Sequence, residues 1–179
     1  MSSNILNAMK NLRQNLHNVG NLNNWNKTVL NQGVVADEDM DNFTLAKIEF
    51  DNGERVAKLI TDNGEKGVLV ATPEDYMQGY ETISSFFNEK GERVRVVAME
   101  VGTRFECSNF ELENIDIVTN PIKNGNLVYY KNDTKKFHIS NVTPGGVADY
   151  RNAANKLVVV DASPVSIDGQ PVIRFEVTQ

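Results

Sequence analysis

The stretch Glu92–Phe110, ERVRVVAMEVGTRFECSNF, has the densest strand chemistry in this 179-residue chain. In extended backbone successive side chains alternate between faces. Val94, Val96 and Ala98 therefore fall on one side, and Arg93, Arg95, Val97, Met99 and Val101 on the other. Gly102-Thr103 interrupts the run, after which Phe105 and Cys107 resume the alternation with Arg104 and Glu106 opposite. The pattern predicts a strand, a tight reversal and a second strand, with β-branched residues where a core needs them.

Similar runs lie on both sides. FTLAKIEF (43–50), RVAKLI (55–60) and GVLVA (67–71) are separated by two copies of Asp-Asn-Gly-Glu, at 51–54 and 62–65. Asn-Gly between alternating runs is a strong hairpin signal, because both central residues of a type I′ turn need positive φ. Related turns, Glu89-Lys90-Gly91-Glu92 and Lys123-Asn124-Gly125-Asn126, extend the expectation to a meander of hairpins. Thr72-Pro73-Glu74-Asp75 has a capping threonine, a proline at the first helical position and carboxylates at the positive end, which predicts a short helix to about Gly79. NIDIV (114–118), NLVYY (126–130) and KFHIS (136–140) read as further strands. Thr143-Pro144-Gly145-Gly146 reads as a loop or single helical turn through Asn155. KLVVVDA and VIRFEV close the chain as strands, divided by Ser163-Pro164 and Asp168-Gly169-Gln170-Pro171. Many short strands at roughly ten-residue spacing make the chain mainly β, a β-barrel or sandwich built of hairpins.

Ahead of that domain, residues 43–179, residues 1–42 read as an N-terminal amphipathic helix and an extended arm. Ser2 or Ser3 can cap a helix whose apolar positions Ile5, Met9, Leu12, Leu16 and Val19 alternate spacings of four and three, with Gly20 as the stop. A helix this short is marginal alone and needs a surface, either its own domain or a partner chain. Asn21–Gln32 is polar and contains the sole tryptophan, Trp25, which can plug a core or anchor a contact. Ile5, Met9, Leu12, Leu16 and Trp25 are thus the candidate partner-binding residues.

Bulk properties narrow the function classes. A hydrophobic fraction of 40% with mean hydropathy of −0.39 fits a folded globular chain. No apolar run approaches the ~20 residues needed to cross a bilayer, and the N-terminus lacks a signal-peptide pattern. Net charge of −6 and a pI near 5.0 argue against nucleic-acid binding, since phosphate contacts need a clustered basic surface. A single cysteine cannot form an internal disulfide, which suits a reducing compartment.

Catalytic and metal motifs fare poorly. Asp37, Asp39 and Asp41 alternate like the start of a calcium loop. The sixth position is Asn42 where glycine is needed, and the twelfth is Ile48 where a bidentate glutamate is needed. Cys107 and His138 are the candidates for a thiol–imidazole pair, with Asp133 or Asp116 as orienting groups. Cys107 is in phase with Phe105, however, and reads as a buried thiol. His17 and His138 lie too far apart in sequence to suggest a zinc cluster. No phosphate-binding glycine loop or nucleophile elbow is present. No catalytic residue, metal ligand or cofactor is therefore expected.

Three segments, ERVRVVAMEVGTRFECSNFE (92–111), NGNLVYYKND (124–133) and VDASPVSIDGQPVIRFEVTQ (160–179), are similar to small β-rich structural proteins of tailed bacteriophages, most of all capsid-associated decoration proteins. The resemblance spans roughly Phe43 to Gln179. It implies a non-enzymatic virion component, assembled in the host cytoplasm, that decorates or stabilises the capsid through contacts with virion proteins and forms homo-oligomers, with no nucleic acid or membrane partner. The rival expectation is a small β-barrel carbohydrate- or ligand-binding module, whose concave site would draw on Tyr129, Tyr130, Phe137 and Tyr150.

Overall fold

A computed structural model describes residues 17–22, 29–30, 34–73, 86–142, 146–167 and 169–179. The chain is mainly β. Its strands are β1 (Gly20–Leu22), β2 (Val29–Leu30), β3 (Val34–Ala36), β4 (Leu45–Asp51), β5 (Glu54–Leu59), β6 (Val68–Val70), β7 (Val96–Ala98), β8 (Arg104–Cys107), β9 (Phe110–Glu113), β10 (Leu127–Lys131), β11 (Lys136–Ser140), β12 (Lys156–Ile167) and β13 (Gln170–Val177). Among the described residues one short helix, α1 (Ala148–Asn152), precedes β12, where a loop or single helical turn was expected.

Two sheets form, ordered β2-β7-β6-β4-β5-β3 and β1-β8-β13-β12-β10-β11-β9. With β1 set aside, adding six to each label of the first order gives the second. The orientations agree as well. β4/β5 and β10/β11 are antiparallel hairpins, β4/β6 and β10/β12 are antiparallel, and β3/β5 and β9/β11 are the parallel pairs. The fold is therefore two tandem copies of one six-strand topology. This is not the meander that the turns predicted, because a meander contains no parallel neighbours.

Both copies curl. In the first, β3 meets the run leading into β7, with Val35 bridging Arg93 and Val94 N–H donating to the Val34 carbonyl at 3.0 Å. In the second, β8 and β9 sit at different places in the sheet although only Ser108-Asn109 separates them in sequence. Three strands lie between β8 and β11, yet the Phe105 and Phe137 rings are 5.4 Å apart. The expected barrel or sandwich resolves into two sheets, one of them a half-barrel, that share a core.

Neighbouring residues on the strands of the first sheet show how that sharing works. Leu45, Leu69 and Val97 join Phe105, Phe110, Phe137 and Phe175 in the common core. Ala46, Val70 and Val96 turn the other way, into a second cluster with Val34, Ala57, Leu59 and Val94. Both faces of the sheet are apolar, so VLV and VVA read as continuous hydrophobic runs; period two survives only in which cluster each residue joins.

The Glu92–Phe110 stretch departs from its predicted form. β7 belongs to the first sheet and β8 to the second, so the two do not pair. Gly102, at φ 86°, turns the chain across between sheets, and the turn is pinned to the last strand by Gly102 N–H to the Val177 carbonyl at 2.8 Å and Val177 N–H to the Thr103 carbonyl at 2.9 Å. What reads as a hairpin is the crossover joining the two copies.

The duplicated tetrapeptide also divides. Asn52 (φ 47°) and Gly53 (φ 87°) make the expected type I′ turn between Asp51 and Glu54. At 62–65 neither Asn63 nor Gly64 has positive φ. The turn is closed by Glu65 N–H to the Asp62 carbonyl, and β6 pairs with β4 rather than β5. NIDIV forms no strand; Asp116 turns the chain there, accepting from Val118 N–H at 2.9 Å and bridging Asn120. Ser163-Pro164 does not end a strand, since β12 absorbs it in a register shift against β13 between Asp161 and Val165.

The N-terminal expectation changes too. His17–Val19 are not helical, and Gly20, expected to stop a helix, opens β1. A Cβ at Gly20 would lie 2.1 Å from the Glu106 carbonyl oxygen, so only glycine fits beside β8. β1, β2 and β3 all come from the stretch read as an arm and are paired into the sheets. The positions expected on the apolar seam, Ile5 to Leu16, lie outside the described residues, as do Trp25 and most of the helix expected after Thr72.

Candidate functional site

Residues 17–22 fasten to both copies. The His17 Nδ1 meets the Asp41 carboxylate, and the His17 ring stands edge-on to Phe86 at 5.0 Å. Asn18 N–H donates to Asp41 Oδ2 at 2.8 Å, and its amide donates to the Asn42 carbonyl at 2.9 Å. Val19 and Ser108 exchange bonds, Gln170 Nε2 donates to the His17 carbonyl at 2.8 Å, and Asn21 donates to Glu106 at 2.9 Å. Asp41, one of the alternating acids, thus holds the chain's own backbone. The partners lie 23 to 153 residues away in sequence, which is why no local pattern announced them.

A cavity of about 270 Å³ opens beside this anchor, lined by Asn21, Leu22, Phe43, Thr72, Pro73 and Arg95 among others. Asn42 braces its wall: its amide donates to the Thr72 carbonyl at 2.8 Å and accepts Thr72 N–H at 3.0 Å. The Thr72 hydroxyl accepts Arg95 N–H at 3.1 Å. The Arg95 Nε is buried without a hydrogen-bond partner. No motif in the sequence marked Arg95 or Asn42 as a binding residue.

A second polar group lies on the outer side of β9, β10 and β11. There the Tyr129 hydroxyl donates to the Glu113 carboxylate, and Lys131 reaches Asp149 at 3.1 Å and Glu113 at 3.5 Å. The His138 Nε2 pairs with the Thr134 hydroxyl at 2.9 Å, with Glu111 and Glu113 at 3.6 and 3.7 Å from its two ring nitrogens. Burial, then Lys131, holds the His138 pKa below its ordinary value despite those carboxylates. Burial and then Glu113 raise that of Tyr129. Burial works against the charge on Lys131, but Asp149 and Glu113 outweigh it and raise its pKa. α1 supplies Asp149 and sets Tyr150 edge-on to Tyr129 at 6.1 Å. Each charge is answered internally, and no three ligand-type side chains among the described residues converge on a metal-sized point. The arrangement clasps α1 to the sheet.

Other candidate residues settle by face. Phe137 and Ile139 point into the core with Cys107, whereas His138 points out, so the thiol and imidazole are on opposite sides of the sheet. Cys107 is fully buried, and burial pushes its pKa up. Tyr129, Tyr130 and Phe137 are 0–2% exposed, which removes them from any open binding face. Ile5, Met9, Leu12, Leu16 and Trp25 lie outside the described residues. No helix among the described residues is long and apolar enough to cross a membrane.

No solved structure matches the chain. An uncharacterized SPbeta prophage-derived protein, YonC, of Bacillus subtilis (strain 168) is 33% identical over 168 residues, covering 91% of this chain and 92% of that protein. Residues 13–178 match the family described as YonC prophage protein. The chain therefore belongs to the YonC prophage protein family and is a phage protein.

Proposed function

We propose that this protein is a non-enzymatic structural component of a phage particle, joined to the capsid or to other virion proteins, and to further copies of itself, through its N-terminus. The observation that carries this reading is the anchoring of residues 17–22. Bonds from Asp41, Glu106, Ser108 and Gln170 fix residues 17–22 to both sheets, so the chain is held firmly where residues 1–16 join it. The seam Ile5, Met9, Leu12 and Leu16 has the spacing of a helix that lays an apolar stripe on a partner. A tether rooted at two sheets would pass load from a partner to the whole domain.

The test is a deletion of residues 1–16, which spares every described strand, made in a phage that encodes the protein. Circular dichroism and thermal unfolding should match the full chain, while the truncated protein should be lost from particles purified through a density gradient. Wild-type incorporation of a folded truncation would rule out the N-terminal tether.

A further inference from the structure

At the Arg95 pocket a half-buried charge is left without a carboxylate among the described residues. Other half-buried cations are answered: Lys131 meets Asp149 and Glu113, Lys47 meets Glu49 and Glu65, and Lys156 meets the Gln179 amide oxygen. Arg95 is half-buried, its Nε has no hydrogen-bond partner, and no described carboxylate pairs with it. A buried donor left unpaired costs its full desolvation, and a turn of the guanidinium toward an acceptor in the cavity would recover it.

We propose that this pocket binds a small carboxylate bearing an apolar group. A planar guanidinium presents parallel N–H donors that match a carboxylate in geometry. Thr72 adds to it: its oxygen already accepts Arg95 N–H, so its own O–H remains free to donate into the cavity. Leu22, Phe43 and Pro73 supply an apolar wall for the rest of the ligand. Among the described residues no acidic side chain lines the pocket, although the chain as a whole carries a net charge of −6. One cation, with no second basic side chain among the described lining residues, suits a monoanion better than a phosphate dianion. About 270 Å³ is below the ~300–1,000 Å³ of sites for drug-sized molecules, which limits the ligand to a few carbons. The proposal is independent of the particle reading, since a folded virion protein and a cytoplasmic one would present the same pocket.

The experiment is a nitrogen-15 NMR titration of the full chain with sodium acetate, sodium butyrate and sodium phosphate, each against sodium chloride at equal ionic strength. Saturable shifts are expected at the Arg95 Nε–H and at the amides of Asn21, Phe43 and Thr72. Butyrate should bind roughly tenfold tighter than acetate through its two extra methylenes. Arg95→Gln should weaken butyrate by at least about tenfold, with the spectrum otherwise retained. If Arg95→Gln fails to fold, Leu22→Ala serves instead and should narrow the butyrate advantage over acetate. Shifts that do not saturate, that chloride reproduces or that phosphate elicits more strongly would overturn the proposal. So would binding that both variants leave unchanged.

Discussion

Two identical tetrapeptides in one chain offer a controlled comparison. Gly53 sits at φ 87° in the type I′ turn of β4 and β5, with nothing within 4 Å of the position a Cβ would take. Gly53→Ala therefore meets backbone strain and no clash. An L-residue in the left-handed region costs roughly 1–2 kcal/mol, and the stiffer unfolded chain returns about 0.4–1 kcal/mol, leaving a net loss of about 0.5–1 kcal/mol. Gly64 has no positive φ, and its Cβ would meet the Asp62 carboxylate oxygen at 3.3 Å. Gly64→Ala gains the same unfolded-state benefit and gives some of it back at that contact, for a change of about zero. The two substitutions should differ by about 1 kcal/mol in urea denaturation, or roughly 2–4 °C in melting temperature for a chain of this size. Equal losses at both glycines would refute the reasoning, because they would show that the tetrapeptide, rather than the sheet it serves, dictates the turn.

Two further outcomes follow from the buried groups. The depressed pKa of His138 means that the unfolded chain takes up a proton before the folded one does, so stability should be full above the ordinary histidine value of about 6.5 and fall as pH drops below it. Urea midpoints from neutral to mildly acidic pH should show this slope, and His138→Gln should reduce it; an unchanged slope would remove His138 as its source. Cys107 should resist thiol reagents in the native state and react only as fast as the protein unfolds, because its thiol is enclosed by both copies of the fold. Immediate labelling would contradict that enclosure.

Local chemistry was readable in the sequence and pairing was not. Asn52-Gly53 announced its turn because positive φ at two adjacent positions is a property of those residues alone. Phe105 and Cys107 announced a buried face by simple alternation. Nothing local, however, distinguishes a turn that folds a strand back on its neighbour from one that hands it to another sheet. Gly102-Thr103 does the second while looking like the first. The tandem duplication was hidden for the same reason, since it resides in which strands pair. The equivalent parallel pairs set Val34 against Arg55 and Phe110 against Phe137, which share no residue pattern. The Arg95 pocket was invisible because Leu22, Phe43, Thr72 and Arg95 meet only after β1, β4, β6 and β7 are in place. His17 was misplaced on a helix because the four-three spacing of the preceding residues runs through Val19, whereas Asp41 and Ser108 hold that backbone extended.

The most direct test of the proposed particle role is quantitative mass spectrometry on density-purified particles of a phage that encodes this protein, made alongside the soluble fraction of the same lysate. A particle component should show a fixed ratio of this chain to the major capsid protein across the particle peak. Recovery in the soluble fraction alone, with no constant ratio in the peak, would contradict it.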